Sequence, residues 1–326
     1  MTLNRRRFVS LALMPAALDA LRPAGAMEKP YPNRPIQLVS PYTPGGGNDT
    51  LARLVADRLG KAVGQTVIVL NKPGANTMIG NDYVAKAEAD GHTLVLDGNS
   101  LVINPSFYRH VPYDTIKDLE PVSFIGFSTV ALACTRDLPV DTVQELIALA
   151  KSKPGFLNCG TSGHGGPGHF AGLQFGQMAG VDINFIPYKG TAPAMTDLIA
   201  GHVHLMFTPL STVPHGKVKL LAVATKSRSL QFPDVPTVAE AGVSGYEAFL
   251  WFGLITTGGT PRPILDRISD EMGKILRQDD TVKALAAMDI LIGGPEYATP
   301  EKFAAFVRAD LEKSARIARA AGVRPE

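Results

Sequence analysis

The sequence predicts an α/β fold of two lobes, each a mostly parallel sheet flanked by helices, with a ligand cleft between them. Three observations carry that expectation. Short β-branched runs alternate with helical patterns, the rhythm of parallel strands joined by crossover helices. The alternation comes in two sets with no Gly/Ser-rich linker between them, and a helical tail follows the second set. Ligands of open α/β sheets sit beyond the carboxyl ends of the strands, so two facing lobes would enclose a cleft.

In the first set, residues 36–40 read as a strand and 50–60 as a helix, with Leu51, Leu54, Val55 and Leu59 forming an apolar stripe. Residues 66–70 are the next strand. The loop NKPGANTMIGN then leads into a helix ending near Ala89, and 93–96 form a third strand. The second set opens with a strand over 129–135. A capping box at Asp141-Thr142-Val143-Gln144 starts a helix over 142–153, which Pro154-Gly155 ends. Strands at 157–159, 183–186, 205–207 and 220–223 alternate with helices at 168–179 and 193–200, the latter stopped by Gly201. In the tail, an extended stretch at 249–256 precedes helices at 261–278, 281–288 and 300–321. Thr260-Pro261 and Thr299-Pro300 each read as N-cap followed by first helical residue. The expected division places 27–126 and 250–326 in one lobe and 127–249 in the other, joined by crossing strands.

Residues 1–26 stand apart from this fold. Arg5-Arg6-Arg7 is a charged start, 9–18 a short apolar run, and Ala24-Gly25-Ala26 a small-residue cleavage site. That is the pattern of an export signal. The apolar run is too short for a membrane span, and Pro15, Asp19 and Arg22 break the segment. Paired arginines before Phe8 point to the twin-arginine route, with the general secretory route as the alternative. Loss of this segment removes four arginines and one aspartate, taking the net charge from +2 to −1. No charge block remains, which argues against nucleic acid and anionic membrane surfaces as partners. A soluble, monomeric, exported protein is expected. Cys134 and Cys159 read as a disulfide or, the favoured alternative, as two buried thiols. With no C-x-x-C, zinc or thioredoxin-like chemistry is not expected, nor is any cofactor.

Three glycine-rich loops follow strand ends: Pro44-Gly45-Gly46-Gly47, Pro73-Gly74-Ala75-Asn76-Thr77, and 160–166. Glycine lets backbone N–H groups approach a ligand closely, and a helix N-terminus adds partial positive charge. Together they form an anion site without lysine or arginine. One such loop is an ordinary turn; three that each enter a helix point to a carboxylate or a phosphate. Other patterns are weaker. Gly163-His-Gly165-Gly-Pro-Gly168 has the form of a dinucleotide fingerprint, but Asp182 comes too early for its acidic partner. Ser162 near His164 and His169 permits a hydrolase reading, with Asp182 or Asp197 as orienter, but Ser162 lies outside any G-x-S-x-G. His202-x-His204 lacks a third metal ligand, and Trp251 and Phe252 read as core or hinge aromatics.

The blocks YPNRPIQLVSPYTPGGGNDTLARLVADRL, VIVLNKPGANTMIGNDYVAKAEADGHTL, PGFLNCGTSGHGGPGHFAG, IPYKGTAPAMTDLIAGHVHLMF and LLAVATKSRSLQFPDVPTVAEAG, in this order, carry a resemblance. They resemble the periplasmic solute receptors of the tripartite tricarboxylate transporter family, the TctC or Bug receptors. The resemblance covers essentially the whole chain after residue 26. It implies a two-lobed periplasmic-binding fold that closes on a carboxylate, often a di- or tricarboxylate. It further implies that Tyr42, Pro44, Gly45, Gly46, Asn48 and Asp49, with Ala75, Asn76 and Thr77, hold one carboxylate through backbone amides and ordered waters. Thr161, Ser162 and Gly163 would receive the other end, beside His169, Tyr188, Gly190, Thr191, Ala192 and Thr208. Three departures from the family pattern bear on ligand choice. Asn76 and Thr77 stand where relatives often have glycines, and Gln174 where they often have glutamate. Thr208 stands where many have an aspartate suited to an ammonium group. The expected function is a non-enzymatic receptor that hands its ligand to a membrane permease or reports it to a sensor. The alternative is a small exported hydrolase using Ser162 and a histidine.

Overall fold

The computed structural model describes residues 30–325; the export signal read at 1–26 lies outside the described residues. The first set comprises β1 (Ile36–Ser40), α1 (Gly47–Val63), β2 (Val67–Asn71), α2 (Met78–Ala85), β3 (Thr93–Gly98) and α3 (Ser100–Phe107). A sixteen-residue strand, β4 (Leu119–Cys134), leads into the second set. That set holds α4 (Val143–Ser152), β5 (Asn158–Thr161), α5 (Pro167–Ala179), β6 (Asn184–Pro187), α6 (Thr191–Ile199), β7 (Leu205–Pro209) and β8 (Lys219–Val223). The chain returns through β9 (Phe249–Thr257), α7 (Arg262–Ile275), α8 (Asp279–Ala287), β10 (Ile290–Ile292) and α9 (Pro300–Ala320).

Two parallel blocks lie at the ends of one sheet path, ordered β2-β1-β3-β9-β4-β7-β5-β6. β1 pairs in parallel with β2 and β3, and β5 with β6 and β7. Between the blocks the pairings are antiparallel, because a strand passing from one set to the other must run against both. β4 pairs with β9 as far as Thr129, then with β7 and β8 from Val130 onward. The sheet is therefore mixed, with its parallel character confined to the two blocks that carry the glycine-rich loops.

Strand alternation divides the core between the two faces of each block. Ile36 and Leu38 of β1 pack with Leu51, Val55 and Leu59 of α1 and Ile268 and Met272 of α7. Val39, one residue on, faces the opposite layer of Leu101, Phe107, Trp251 and Phe303. In the second set Leu132 packs with Leu146 and Phe175, while Ala133 packs with Ala194, Leu198 and Met206 under α6. Burying a side chain of leucine size contributes about 1.5–3 kcal/mol, so these two-sided cores hold the strand ends in place.

Several sequence expectations need correction. The capping box lies one residue further on: the Thr142 hydroxyl accepts from the Glu145 N–H, and the Glu145 carboxylate from the Thr142 N–H. α2 ends at Ala85, short of Ala89. α3 was not read because it is buried on almost every side and so carries no amphipathic stripe; it also contains Pro105. Pro121 and Gly126 hid the first half of β4, since both are strand breakers; the register shifts beside each of them. Cys134 and Cys159 are free buried thiols, pushed up to about 11 and about 12 chiefly by burial. Among the described residues, no helix is long and apolar enough to cross a membrane.

Candidate functional site

The glycine-rich loops all lie at the carboxyl ends of parallel strands, where each strand hands over to a helix: β1 to α1, β2 to α2, β5 to α5 and β6 to α6. None of these four helices has a side-chain cap, whereas Thr142 caps α4 and Thr299 caps α9. α3, α7 and α8 are uncapped too, so the missing cap alone marks nothing. Their place at strand carboxyl ends sets these loops apart, since glycines such as Gly64, Gly216 and Gly259 are equally unobstructed. A Cβ built at Gly45, Gly47, Gly163 or Gly190 would meet no atom within 4 Å. Glycines there leave room for a ligand beside the helix starts, where unpaired N–H groups and the helix dipole favour an anion.

In the first loop, Gly45 has φ +81°, and its N–H donates to Asp49 at 2.9 Å. Asp49 also accepts from Arg53 at 3.0 and 3.1 Å and from Asn71 at 2.8 Å. These partners, Arg53 first and the Gly45 amide next, hold its carboxyl down at about 2. Asp49 therefore braces the loop from within, and its negative charge is spoken for by Arg53. The Ser40 hydroxyl donates to Asn48 Oδ1, and Asn48 Nδ2 donates to the Leu96 carbonyl. Both side chains of the Asn-Asp pair thus serve loop geometry. Pro44 and Gly46 are exposed.

The second loop is strained. Ala75, Asn76 and Thr77 follow one another at φ +46°, +47° and +74°, all left-handed and none glycine. Such residues cost on the order of 1–3 kcal/mol each and persist only where their surroundings over-determine them. Here Asn76 Nδ2 donates to Asn104 Oδ1 at 2.6 Å and to the Gly165 carbonyl at 3.2 Å, and Asn104 Nδ2 returns a bond to the Asn76 carbonyl. Asn81 Nδ2 donates to Thr77 Oγ1. The Asn76 amide is occupied with holding the second loop to the third, a different use from the ligand contact expected of it.

The third loop joins the site from the second set. The Thr161 hydroxyl donates to the Gly163 carbonyl, and the Tyr188 N–H to the Thr161 carbonyl, which brings the 188–192 segment alongside. The loop rests on α3 and its end: Tyr108 OH donates to the His164 carbonyl, and Phe107 packs against both His164 and His169. Gly165 and Gly168 of the fingerprint-like run have packing roles. A Cβ at Gly165 would strike the Phe107 ring, and one at Gly168 the Phe207 carbonyl. His169 Nδ1 accepts from the Gly165 N–H, which places the proton of the neutral ring on Nε2. Burial first, and His164 second, lower its pKa to about 4. Ser162 is exposed, and its hydroxyl has no partner among the described residues.

Two expected ligand contacts are turned elsewhere. Tyr188 OH donates to Asp197 at 2.6 Å, and its pKa rises to about 12 through burial and that bond. Thr208 is buried, and its hydroxyl bonds Thr212 at 2.9 Å. Gly190 caps α6, and Thr191 and Ala192 form its first turn. His202 faces Asp197, whereas His204 Nδ1 accepts from the Asn158 N–H, so the two histidines do not converge. Among the described residues, no cluster of three or more His, Cys, Asp or Glu is placed to hold a metal. Sequence reading missed the residues behind the loops: Asn71, Asn81, Asp97 and Asn104. The one available signal was Asp97 itself, an acidic residue closing the apolar run LVL.

Glycine-rich loops gathered at the strand carboxyl ends of two α/β sets lie where such folds bind small ligands. Residues 51–323 match the tripartite tricarboxylate transporter family receptor, and the chain belongs to that family. It is 34% identical over 300 residues to Protein BugT of Bordetella pertussis, covering 90% of this chain and 91% of that protein. Among solved structures it is similar to an R. palustris protein with adipate, at TM-score 0.83 and 35% identity, over 91% of this chain and all of that one. The periplasmic binding protein BugD gives 0.81 and 31%, with the same coverages. MatC from Rhodopseudomonas palustris, with bound malate, gives 0.80 and 29%, over 88% of this chain and 100% of that one. The two-lobed periplasmic-binding fold follows. The family comprises substrate-binding receptors, not enzymes. That corrects the hydrolase alternative, for which the site also lacks a serine–histidine bond: Nδ1 of His169 is taken by a backbone amide.

Proposed function

We propose that this protein is an extracytoplasmic receptor that captures a small organic di- or tricarboxylate between two lobes and delivers it to a membrane transporter of the tripartite type, or reports it to a sensor. The observation that carries this reading is the meeting of glycine-rich loops from both sets at strand carboxyl ends, where Asn76 of one bonds the Gly165 carbonyl of another and Gly45, Gly47, Gly163 and Gly190 leave room for a ligand. Amides of 46–49 and 75–77 take one carboxylate. Thr161, Ser162 and Gly163, with Gly190 to Ala192 and the Nε2–H of His169, take the other end. The lobes are 27–126 with 250–326, and 127–249. Relatives of the same fold hold adipate and malate, which supports a ligand with a carboxylate at each end. The export signal at 1–26, read by the twin-arginine or the general secretory route, delivers a monomer to the periplasm. Calorimetric titration tests the two-ended reading by comparing the tightest-binding dicarboxylate with its monoester. Masking one end is expected to weaken binding at least tenfold, about 1.4 kcal/mol. Equal affinity for the monoester would refute it.

A further inference from the structure

We infer that Asp97 is the positioning residue that locks the first and second loops into one binding geometry, an assignment that rests on those loops holding the ligand as proposed above. Asp97 closes β3 and is wholly buried. Its Oδ1 accepts from Tyr42 OH of the first loop at 3.3 Å, and its Oδ2 from Asn81 Nδ2 of α2 at 2.7 Å. Asn81 Nδ2 also donates to Thr77 Oγ1, which ties the second loop to the same carboxylate. One carboxylate thus joins both loops, α2 and its own strand end. Among the described residues no lysine or arginine pairs with it.

The cluster suits an ionised carboxyl at pH 7. Tyr42 OH and Asn81 Nδ2 both present donors to it, and an ionised carboxylate has acceptors only. Asn81 shows how far the cluster is arranged around it. Its Nδ2 serves Asp97, Thr77 and Tyr113 together, while its own Oδ1 lies buried with no hydrogen bond. The flipped amide would set oxygen against oxygen. Burial raises the Asp97 carboxyl to about 6 against these donors. A strand end selected for stability alone would carry an apolar residue here, since burying an unpaired charge is unfavourable. The loop it stabilises is the one with three successive left-handed residues, which needs bracing from outside its own backbone.

Hydrogen exchange on ligand-free protein, wild type against Asp97→Asn, reads the assignment directly. The amides to follow are those the two loops hold by hydrogen bonds: Gly45 and Thr50 in the first, Met78 and Asn81 in the second. The variant is expected to exchange these about tenfold faster or more. Residues 161–166 and the global unfolding midpoint at pH 7 should stay as in wild type. Unchanged protection at both loops would overturn the assignment, and so would a loss spread evenly over the whole chain, which is the mark of a structural role. Where Asp97→Asn fails to fold, Tyr42→Phe removes the first-loop arm alone and is expected to release Gly45 and Thr50 while sparing Met78. Binding gives the second readout: the tightest wild-type carboxylate should lose at least tenfold in affinity in Asp97→Asn, and equal affinity would count against the assignment. Exchange needs no ligand, so a wild type that binds no carboxylate but shows the loop effect would refute the proposed function and leave Asp97 in its role.

Discussion

Gly163 and Gly180 are equally unobstructed but lie in different places. Both have positive φ, +154° and +63°, and a Cβ on either would meet nothing within 4 Å. Gly163 lies in the third loop, while Gly180 ends α5 at its far end. Alanine at either position is expected to lower stability by about 1 kcal/mol through the left-handed backbone. Only Gly163→Ala should weaken carboxylate binding, because only its Cβ enters ligand volume; paired titrations and melts check this. The acids give a pH prediction of opposite signs. Asp49 has a folded pKa held down at about 2, so its stabilisation is present above about pH 4 and is lost as pH falls toward 2. Asp97 has a folded pKa raised to about 6, so the native state holds its proton longer than the unfolded chain. Its contribution therefore declines as pH rises from about 4 to 6. Urea unfolding across pH 3–7 should show a wild-type minus Asp97→Asn difference that changes through pH 4–6; a flat difference would contradict it. The glycines were legible in sequence because each announces its own backbone freedom. Asp97 was not, since Tyr42 and Asn81 reach it from segments 55 and 16 residues away.

At the scale of the element, two helix starts are fixed by their own side-chain caps. α4 begins with a reciprocal capping box and α9 with the Thr299 hydroxyl on the Lys302 N–H. Thr142→Ala is expected to cost about 1 kcal/mol, seen as a lower unfolding midpoint with carboxylate affinity unchanged, since α4 begins far from the loops. Elements with a clear stripe or a cap were legible, and α1, α5, α7 and α9 lie close to where periodicity puts them. The elements missed are those whose local signals conflict with their place in the fold. α3 is buried on almost every side and has an internal proline. β10 has only three residues and exists by pairing with Gly126 to Ser128 of β4. Tertiary pairing overrides propensity in both, and no window of sequence contains the partner.

At the scale of the whole molecule, β4 makes one sheet of two sets, and the loops meet across them. Asn76 reaches the Gly165 carbonyl, Tyr108 reaches that of His164, and Phe107 fills the space that Gly165 leaves free. The two-set rhythm and the glycine-rich loops were visible in the sequence, and so was the family. The cross-set contacts were not, because they depend on how α3 presents Phe107 and on the left-handed backbone at 75–77. The central claim is that this geometry reads an organic carboxylate. Its most direct test is thermal unfolding of residues 27–326 against mono-, di- and tricarboxylates, with amino acids and the corresponding amides as controls. A ligand at 100 times its dissociation constant should stabilise the protein by about 2.7 kcal/mol. A clear upward shift with a di- or tricarboxylate, absent with its amide, is the predicted result. No shift with any carboxylate, or an equal shift with the amide, would contradict the account.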